Sequence, residues 1–272
     1  MLLTLDIGNS AAKGGLFDGD RIHRVFHVDV SVRDASSAVA TERWVQALKP
    51  HLETDAGKRV ERVGITTVVP DVLPAAQTAL RNLTGRPITV LHPNMSLPFT
   101  LGYDTPQTLG MDRLAAAAAA WVRWGRPYAR SVIAVDAGTA ITYEVVDASG
   151  VYRGGAIGAG PALVQRALRT GTAQLPTVPL TFPATPVGQS TQSALQSGIL
   201  WGTVDAVRGM LRRLHSVLSD DPYVVLTGGW SEALREHVSI DTVQPHLVLD
   251  GVRVLLEQGT NRQLTSAGGS VQ

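Results

Sequence analysis

The chain of 272 residues contains no cysteine. Disulfides, thiolate zinc sites and a catalytic thiol are therefore excluded. The composition is compatible with a reducing cytosol, and a cytoplasmic location is expected. Charge is also scarce. At 17% charged residues and a net charge of +1, there is no electrostatic case for a nucleic-acid or membrane partner, and neither is expected. No apolar run approaches a membrane span in length, and the alanine run Ala115 to Ala120 ends at Trp121, soon followed by Arg123. The amino terminus does not read as a signal peptide, because Asp6 interrupts its apolar run after a few residues. There is no Walker A lysine motif and no Gly-x-Ser-x-Gly elbow, so P-loop kinases and serine hydrolases of that fold lose their main support. What remains is a chain with 44% hydrophobic residues, long enough to bury a full core in one or two domains.

Two stretches stand out. Leu2 to Ile7 is an apolar run carrying Asp6, and it leads into Gly8, Asn9, Ser10, Ala11, Ala12 and Lys13. A strand ending in Asp-x-Gly-Asn turns sharply enough for backbone N–H groups to converge on an anion, with glycine permitting positive φ if the turn needs it. Lys13 adds a compact positive charge, and Asp6 suits magnesium beside a phosphate, directly or through water. Taken alone, the stretch reads equally as a solvent-exposed hairpin. Ser131 to Thr142 repeats the design, with Asp136, Ala137, Gly138, Thr139 and Ala140 at the turn. The parts downstream match too. Gly15-Leu16-Phe17, the turn Asp18 to Asp20 and a strand Ile22 to Val28 follow the first copy. Tyr143 to Val146, the turn Asp147 to Gly150 and a strand Val151 to Ile157 follow the second. Two three-stranded meanders, each opened by Asp-x-Gly, suggest two related domains facing one cleft, as an ATP-handling enzyme needs.

Between and after these copies the pattern predicts a helix Ser36 to Leu48 stopped by Pro50, and a strand Arg62 to Val69. A helix capped by Asp71, with Pro74 in its first turn, follows through about Leu83, and then a strand Ile88 to Leu91. The first half is thus β-β-β-α-β-α-β, a mixed sheet with helices packed on it. A loop from His92 to Thr108 delivers the chain to Gly110, Met111, Asp112 and Arg113 at the head of a helix. Asp112 there complements a helix dipole, but Arg113 does not, and an adjacent acid and guanidinium also suit a substrate site. In the second half the glycine run Gly154 to Gly160 marks a close backbone approach, and Thr172 to Ser190 reads as a surface loop. A long helix Gln192 to Leu218 follows, with Arg208, Arg212 and Arg213 on a solvated face. The strand Tyr223 to Thr227 ends in Gly228-Gly229, which suits either an adenine ring lying on the backbone or an ordinary β-α turn before a helix from Ser231. The last helix is expected to end near Gln258, before a polar tail from Thr260 to Gln272.

In this order, Asp6-Ile7-Gly8-Asn9-Ser10, Tyr103-x-x-Pro106, Gly110-Met111-Asp112-Arg113, Asp136 to Thr142, Gly154 to Ile157 and Thr227-Gly228-Gly229 resemble the type III pantothenate kinases. The resemblance runs from Leu2 to about Gln258. It implies an α/β fold of two ribonuclease H-like domains with mixed sheets flanked by helices, in the acetate and sugar kinase, Hsp70 and actin superfamily. The boundary is expected between residues 117 and 118, giving domains 1–117 and 118–272. It implies ATP-dependent phosphorylation of pantothenate in coenzyme A synthesis. Asp6, Ile7, Gly8, Asn9, Ser10, Ala11, Ala12 and Lys13 would bind ATP phosphates, with magnesium at Asp6, and Thr139 would touch ATP. Asp112 would be the base. Tyr103, Gly110, Met111, Asp112, Arg113 and Thr191 would hold pantothenate, and Asp136 would bind potassium or ammonium. The family resemblance also implies a homodimer. Ser10 stands where the family often has threonine, and Gln189-Ser190 departs from the commoner Asn-Thr before Thr191. Another small-molecule kinase on the same fold and a non-enzymatic regulatory relative are the alternatives.

Overall fold

Aliphatic and β-branched runs broken by glycine turns give the first sheet, in a computed structural model that describes residues 1–28 and 38–267. Strands β1 (Leu2–Ile7), β2 (Ala12–Asp18) and β3 (Arg21–Val28) form the expected antiparallel meander, with Gly19 at φ +60° in the β2–β3 turn. Helix α1 (Ala38–Leu52) and the single turn α2 (Asp55–Lys58) lead to β4 (Arg62–Thr67), which pairs parallel with β1. Helix α3 (Leu73–Thr84) ends at Gly85, whose φ of +63° is the left-handed cap that glycine adopts without strain. Strand β5 (Ile88–Val90) then pairs parallel with β4. The sheet order is β3-β2-β1-β4-β5. A short strand β6 (Thr100–Leu101) interrupts the predicted loop, and helix α4 (Met111–Ala120) continues as a π turn over Trp121–Gly125.

The second meander is β7 (Val132–Ala137), β8 (Ala140–Val146) and β9 (Val151–Ala159), the last running through the glycine-rich stretch. Helices α5 (Pro161–Gly171) and α6 (Thr191–His215), strand β10 (Tyr223–Thr227), the short α7 (Ser231–Leu234), strand β11 (Thr242–Val243) and helix α8 (Leu247–Ala267) complete the chain. Strand β10 lies parallel to β7 and β11 parallel to β10. Within this meander's sheet the sequence β9-β8-β7-β10-β11 repeats the 3-2-1-4-5 order of the first. Among the described residues no helix is long and apolar enough to cross a membrane.

Contacts group the chain into two units, Met1–Arg123 with His246–Gln272, and Trp124–Pro245. This grouping differs from a linear boundary at 117/118, because α8 returns to the first unit. In that unit Leu3, Leu5 and Ile7 of β1 alternate onto the face covered by α1 and α3, in one cluster with Trp44, Leu48, Ala76 and Leu80. The opposite face of β1 looks toward α8. A Cβ on Gly15 would lie 3.3 Å from Leu249 Cδ1, and one on Gly64 would lie 3.0 Å from Val252 Cγ1 and overlap Leu256. Helix α8 is buried on every side from Leu247 to Leu256, and α4 is likewise buried from Leu114 to Ala120. Two such helices meet only if side chains are small where they cross. They cross where Gly251 approaches the backbone of Ala115 so closely that a Cβ would overlap it. Asp250, 3% exposed, adds an ionic tie: it accepts from Arg253 Nε at 2.9 Å, and Arg123 Nε lies 3.1 Å from its other oxygen. Arg253 also donates to Glu257 at 2.7 Å.

Several local expectations are corrected. Helix α1 runs two residues past Pro50, because in a last turn a missing N–H and one lost i→i−4 bond are tolerated. The predicted start of that helix at Ser36 lies outside the described residues. Asp71 caps nothing: Pro70 opens a 3₁₀ turn over Pro70–Val72, so Asp71 lies inside that turn and Val72 takes the N-cap position of α3. The helix from Ser231 is a single turn. Helix α8 extends to Ala267 rather than ending near Gln258, and residues 268–272 of the expected tail lie outside the described residues. His23 and His27, spaced as His-x-x-x-His, stand on strand β3 and not on a helix. Among the described residues no group of three or more histidines and carboxylates is arranged to hold a metal.

The helix crossing makes a direct prediction. Gly251→Ala inserts a methyl group where the Ala115 backbone leaves no room, and overpacking of this kind costs about 1–3 kcal/mol. Thermal unfolding followed by circular dichroism should show a clear drop in midpoint, whereas Gly259→Ala, with nothing around its Cβ, should show none.

Candidate active site

Each meander places its aspartate one residue before the end of the first strand, next to the turn. In the first unit Asp6 pairs across β1–β2 with Lys13 and across β1–β4 with Thr66. In the second, Asp136 pairs across β7–β8 with Thr142 and across β7–β10 with Thr227. In-register neighbours point to the same face of a sheet, so each carboxylate sits in the middle of a three-strand row. The rows are Lys13-Asp6-Thr66 and Thr142-Asp136-Thr227. The first turn spans Gly8 to Ala11 between the paired Ile7 and Ala12, and the second spans Gly138 to Ala140 between Ala137 and Ile141. That one-residue difference sets lysine opposite the first aspartate and threonine opposite the second.

Neither turn glycine adopts positive φ. Gly8 N–H is spent on Ala11 O at 3.0 Å and Gly138 N–H on Ala140 O at 2.9 Å, so those two amides close the turns. Nor does the surrounding protein crowd either glycine. A Cβ on Gly8 would meet only Ala11 O, at 3.4 Å, and one on Gly138 would meet nothing nearer than 3.6 Å. The surface above both turns is therefore open at the backbone, as a phosphate-binding turn requires. Asn9, Ser10, Ala11 and Thr139 are exposed there, Ile7 and Ala12 are buried, and Asp6, Lys13 and Asp136 are half-buried. These residues fit magnesium held through ATP. That ion keeps several waters and takes one or two carboxylates plus phosphates rather than a protein cage, and Asp6 supplies one such carboxylate.

The second turn is braced from two sides. Gly160 N–H donates to Thr139 O at 3.0 Å, and a Cβ there would lie 2.7 Å from the same oxygen. Gly228, at φ +93°, packs where a Cβ would lie 2.6 Å from Ala137 C and O and overlap the Asp136 carboxylate. Trp230 N–H donates to Ala137 O at 2.9 Å, and the Ser231 hydroxyl closes onto Gly228 O at 2.7 Å. The di-glycine motif and the end of the glycine run thus hold the Asp136 turn. That role is invisible in the sequence, because the three segments lie far apart along the chain.

At the head of α4, Gly110 is the N-cap in extended conformation (φ −61°, ψ 135°) and Met111 is buried. Asp112 Oδ1 accepts the Arg113 N–H at 2.8 Å, so the dipole-complementing role is real. Gly110 has a specific reason: a Cβ on it would sit 2.5 Å from Asp112 Oδ1. Burial pushes the Asp112 carboxyl above its ordinary range, against the pull of the Arg113 N–H and guanidinium. An acid with raised proton affinity at a helix head is fit to take a proton. Tyr103 is half-buried on the preceding loop. In the second unit Thr191 is the exposed first residue of α6, just after the Ser190 N-cap, which exchanges hydrogen bonds with Ser193. The first unit therefore holds Asp6 to Lys13, Tyr103 and Gly110 to Arg113, and the second holds Asp136, Thr139 and Thr191.

Comparison with known proteins shows the family and the fold. The profile of the family described as type III pantothenate kinase matches residues 2–213. The type III pantothenate kinase of Syntrophotalea carbinolica is 33% identical over 259 residues, covering 94% of this chain and 98% of that protein. That of Streptomyces avermitilis is 33% identical over 268 residues, covering 96% and 100%. Among solved structures, a Campylobacter jejuni protein assigned to the Baf family of transcriptional activators superposes with a TM-score of 0.59 at 19% identity, covering 95% of this chain and 99% of its own. An inorganic polyphosphate/ATP-glucomannokinase from Arthrobacter superposes with a TM-score of 0.52 at 15% identity, covering 96% and 98%. These two show the fold, a mixed α/β architecture. On the profile match and the near full-length identity to its relatives, the chain belongs to the type III pantothenate kinase family.

Proposed function

We propose that this protein phosphorylates the primary hydroxyl of pantothenate with ATP, giving 4'-phosphopantothenate, the first step of coenzyme A synthesis. The observation that carries the reading is the head of α4. There Gly110 makes room for the Asp112 carboxylate, burial raises its proton affinity, and Arg113 follows directly. Asp112 takes the hydroxyl proton as the new O–P bond forms, the bond from the γ-phosphorus to the bridging oxygen breaks, and ADP leaves with that electron pair. Such transfers need positioning and charge stabilisation more than covalent help. Asp6 to Lys13 and Thr139 bind ATP, with Asp6 holding magnesium, which when bound neutralises phosphate charge. Tyr103, Gly110 to Arg113 and Thr191 bind pantothenate, with Arg113 on its carboxylate.

The reading extends to Asp136 as the ligand of potassium or ammonium. A second carboxylate beside phosphates repels them unless a cation accompanies it. It also includes a homodimer and a cytoplasmic location. Ile157, 65% exposed on β9, offers an apolar contact to a second copy.

Four outcomes are expected. ADP release should depend on pantothenate, and Asp112→Asn should lower it about 10²–10⁴-fold, the usual range for loss of a general base. A variant within a few-fold of the parent removes Asp112 from that role. The acid limb of kcat/KM for pantothenate should lie above the ordinary carboxylate pKa near 4, because burial holds the proton on Asp112. The stability effect has a fixed sign. The folded state binds this proton more tightly than the unfolded chain, so the contribution of Asp112 to stability is lost as pH rises through the folded pKa. Asp112→Asn should therefore unfold at a higher temperature than the parent at neutral pH. Asp136→Ala should lose potassium activation while keeping its dimer mass by light scattering, and normal activation by potassium removes Asp136 as the cation ligand.

A further inference from the structure

The Lys13-Asp6-Thr66 row contains an unexplained group. Thr66 is fully buried at 0% exposure, and its hydroxyl has no hydrogen-bond partner among the described residues. Such groups are rare in native interiors and carry a standing penalty. The neighbouring threonine makes the contrast plain. Thr67 Oγ1 accepts the Val69 N–H at 2.9 Å and has Val69 O at 3.2 Å and Ile7 O at 3.3 Å to share its single proton. One hydroxyl at the end of β4 is used to fasten the strand, and the other, one residue earlier, is left without a bond.

The position of the unbonded hydroxyl is specific. Thr66 is the in-register parallel neighbour of Asp6, and alternation along β4 turns it to the same face as Asp6, opposite to Ile65 in the α1–α3 core. The same pairing recurs in the second unit, where Thr227, 2% exposed, is the in-register parallel neighbour of Asp136. A valine would fit either strand equally well, fill nearly the same volume and carry no penalty. A threonine beside each aspartate, one of them unbonded, points to a hydrogen bond that forms only when the ligand binds.

We propose that Thr66 is a positioning residue for Asp6. When nucleotide and divalent cation bind, the Thr66 hydroxyl donates to the Asp6 carboxylate and fixes which carboxylate oxygen faces the cation. This rests on the reading of Asp6 as the magnesium-handling carboxylate. Partners of this kind orient a ligating group without touching the metal, and their loss costs about 10–100-fold in affinity.

The experiment is isothermal titration with ADP, with magnesium and again with EDTA, alongside thermal unfolding of the ligand-free protein. The variants are Thr66→Val, Thr66→Ser and Asp6→Asn. Thr66→Val should weaken ADP binding about 10-fold or more in magnesium, leave binding in EDTA within about twofold, and unfold no earlier than the parent without ligand. Thr66→Ser should restore most of the magnesium-dependent affinity. The inference is overturned if Asp6→Asn weakens magnesium-dependent binding and Thr66→Val does not. It is equally overturned if Thr66→Val loses affinity alike with and without magnesium, or if Thr66→Ser fails to rescue. Should Asp6→Asn itself leave magnesium-dependent binding intact, the reading of Asp6 fails and this inference fails with it.

Discussion

Much in the first unit depends on one close approach, that of α8 to α4 at Gly251 and Ala115. Over Leu114 to Ala120 and Leu247 to Leu256 both helices are buried all round, so neither has a solvent face there to accommodate a shift. Their spacing is set by backbone against backbone and not by a cushion of side chains. Helix α8 in turn rests on Gly15 and Gly64, in the strands that flank β1. The head of α4, with Asp112, is thereby registered to the sheet that carries Asp6 through α8, whose Leu249, Val252 and Leu256 side chains rest on strand glycines. The Arg123–Asp250–Arg253 group adds charge contacts to the same helix. Since a buried ion pair contributes little net stability but is costly to break, its effect is to penalise displacement.

The alanine run acquires its meaning from this arrangement. Six consecutive alanines favour a helix strongly, yet most amphipathic helices would place larger residues on the buried side. Here both sides are buried and one must admit a glycine backbone, so small side chains are the solution. Gly110 follows the same logic at the helix head, where the missing Cβ is room for a carboxylate oxygen.

How much of this was legible in the sequence follows from where the information lies. The two Asp-x-Gly turns were legible because they repeat, and a repeated strand-turn-strand pattern carries its own alignment. The meanders, most strand limits and the head of α4 followed from apolar runs and glycine punctuation. The shared 3-2-1-4-5 order was not legible, because parallel pairing of β4 or β10 beside the first strand is a long-range choice that leaves no local mark. Nor was the return of α8 to the first unit: a largely apolar helix announces burial but not its partner. The reasons for Gly110, Gly160 and Gly228 needed coordinates, since each is defined by an atom that would collide with a side chain the residue does not have. Thr66 gave no signal at all, because threonine is an ordinary strand residue until its hydroxyl is found without a bond.

The division of the chain carries a consequence for biogenesis. The second unit is a continuous segment, Trp124–Pro245, whereas the first is completed only by residues from His246 onward. As a polypeptide leaves the ribosome from its amino terminus, the first sheet emerges early and waits, with the Gly15 and Gly64 face uncovered, until the final helix has been made. The second unit has all of its own chain before that moment. Loss of the carboxy-terminal segment would strip the earliest-made sheet of its cover and leave its apolar face to whatever chaperone or neighbouring chain reached it first.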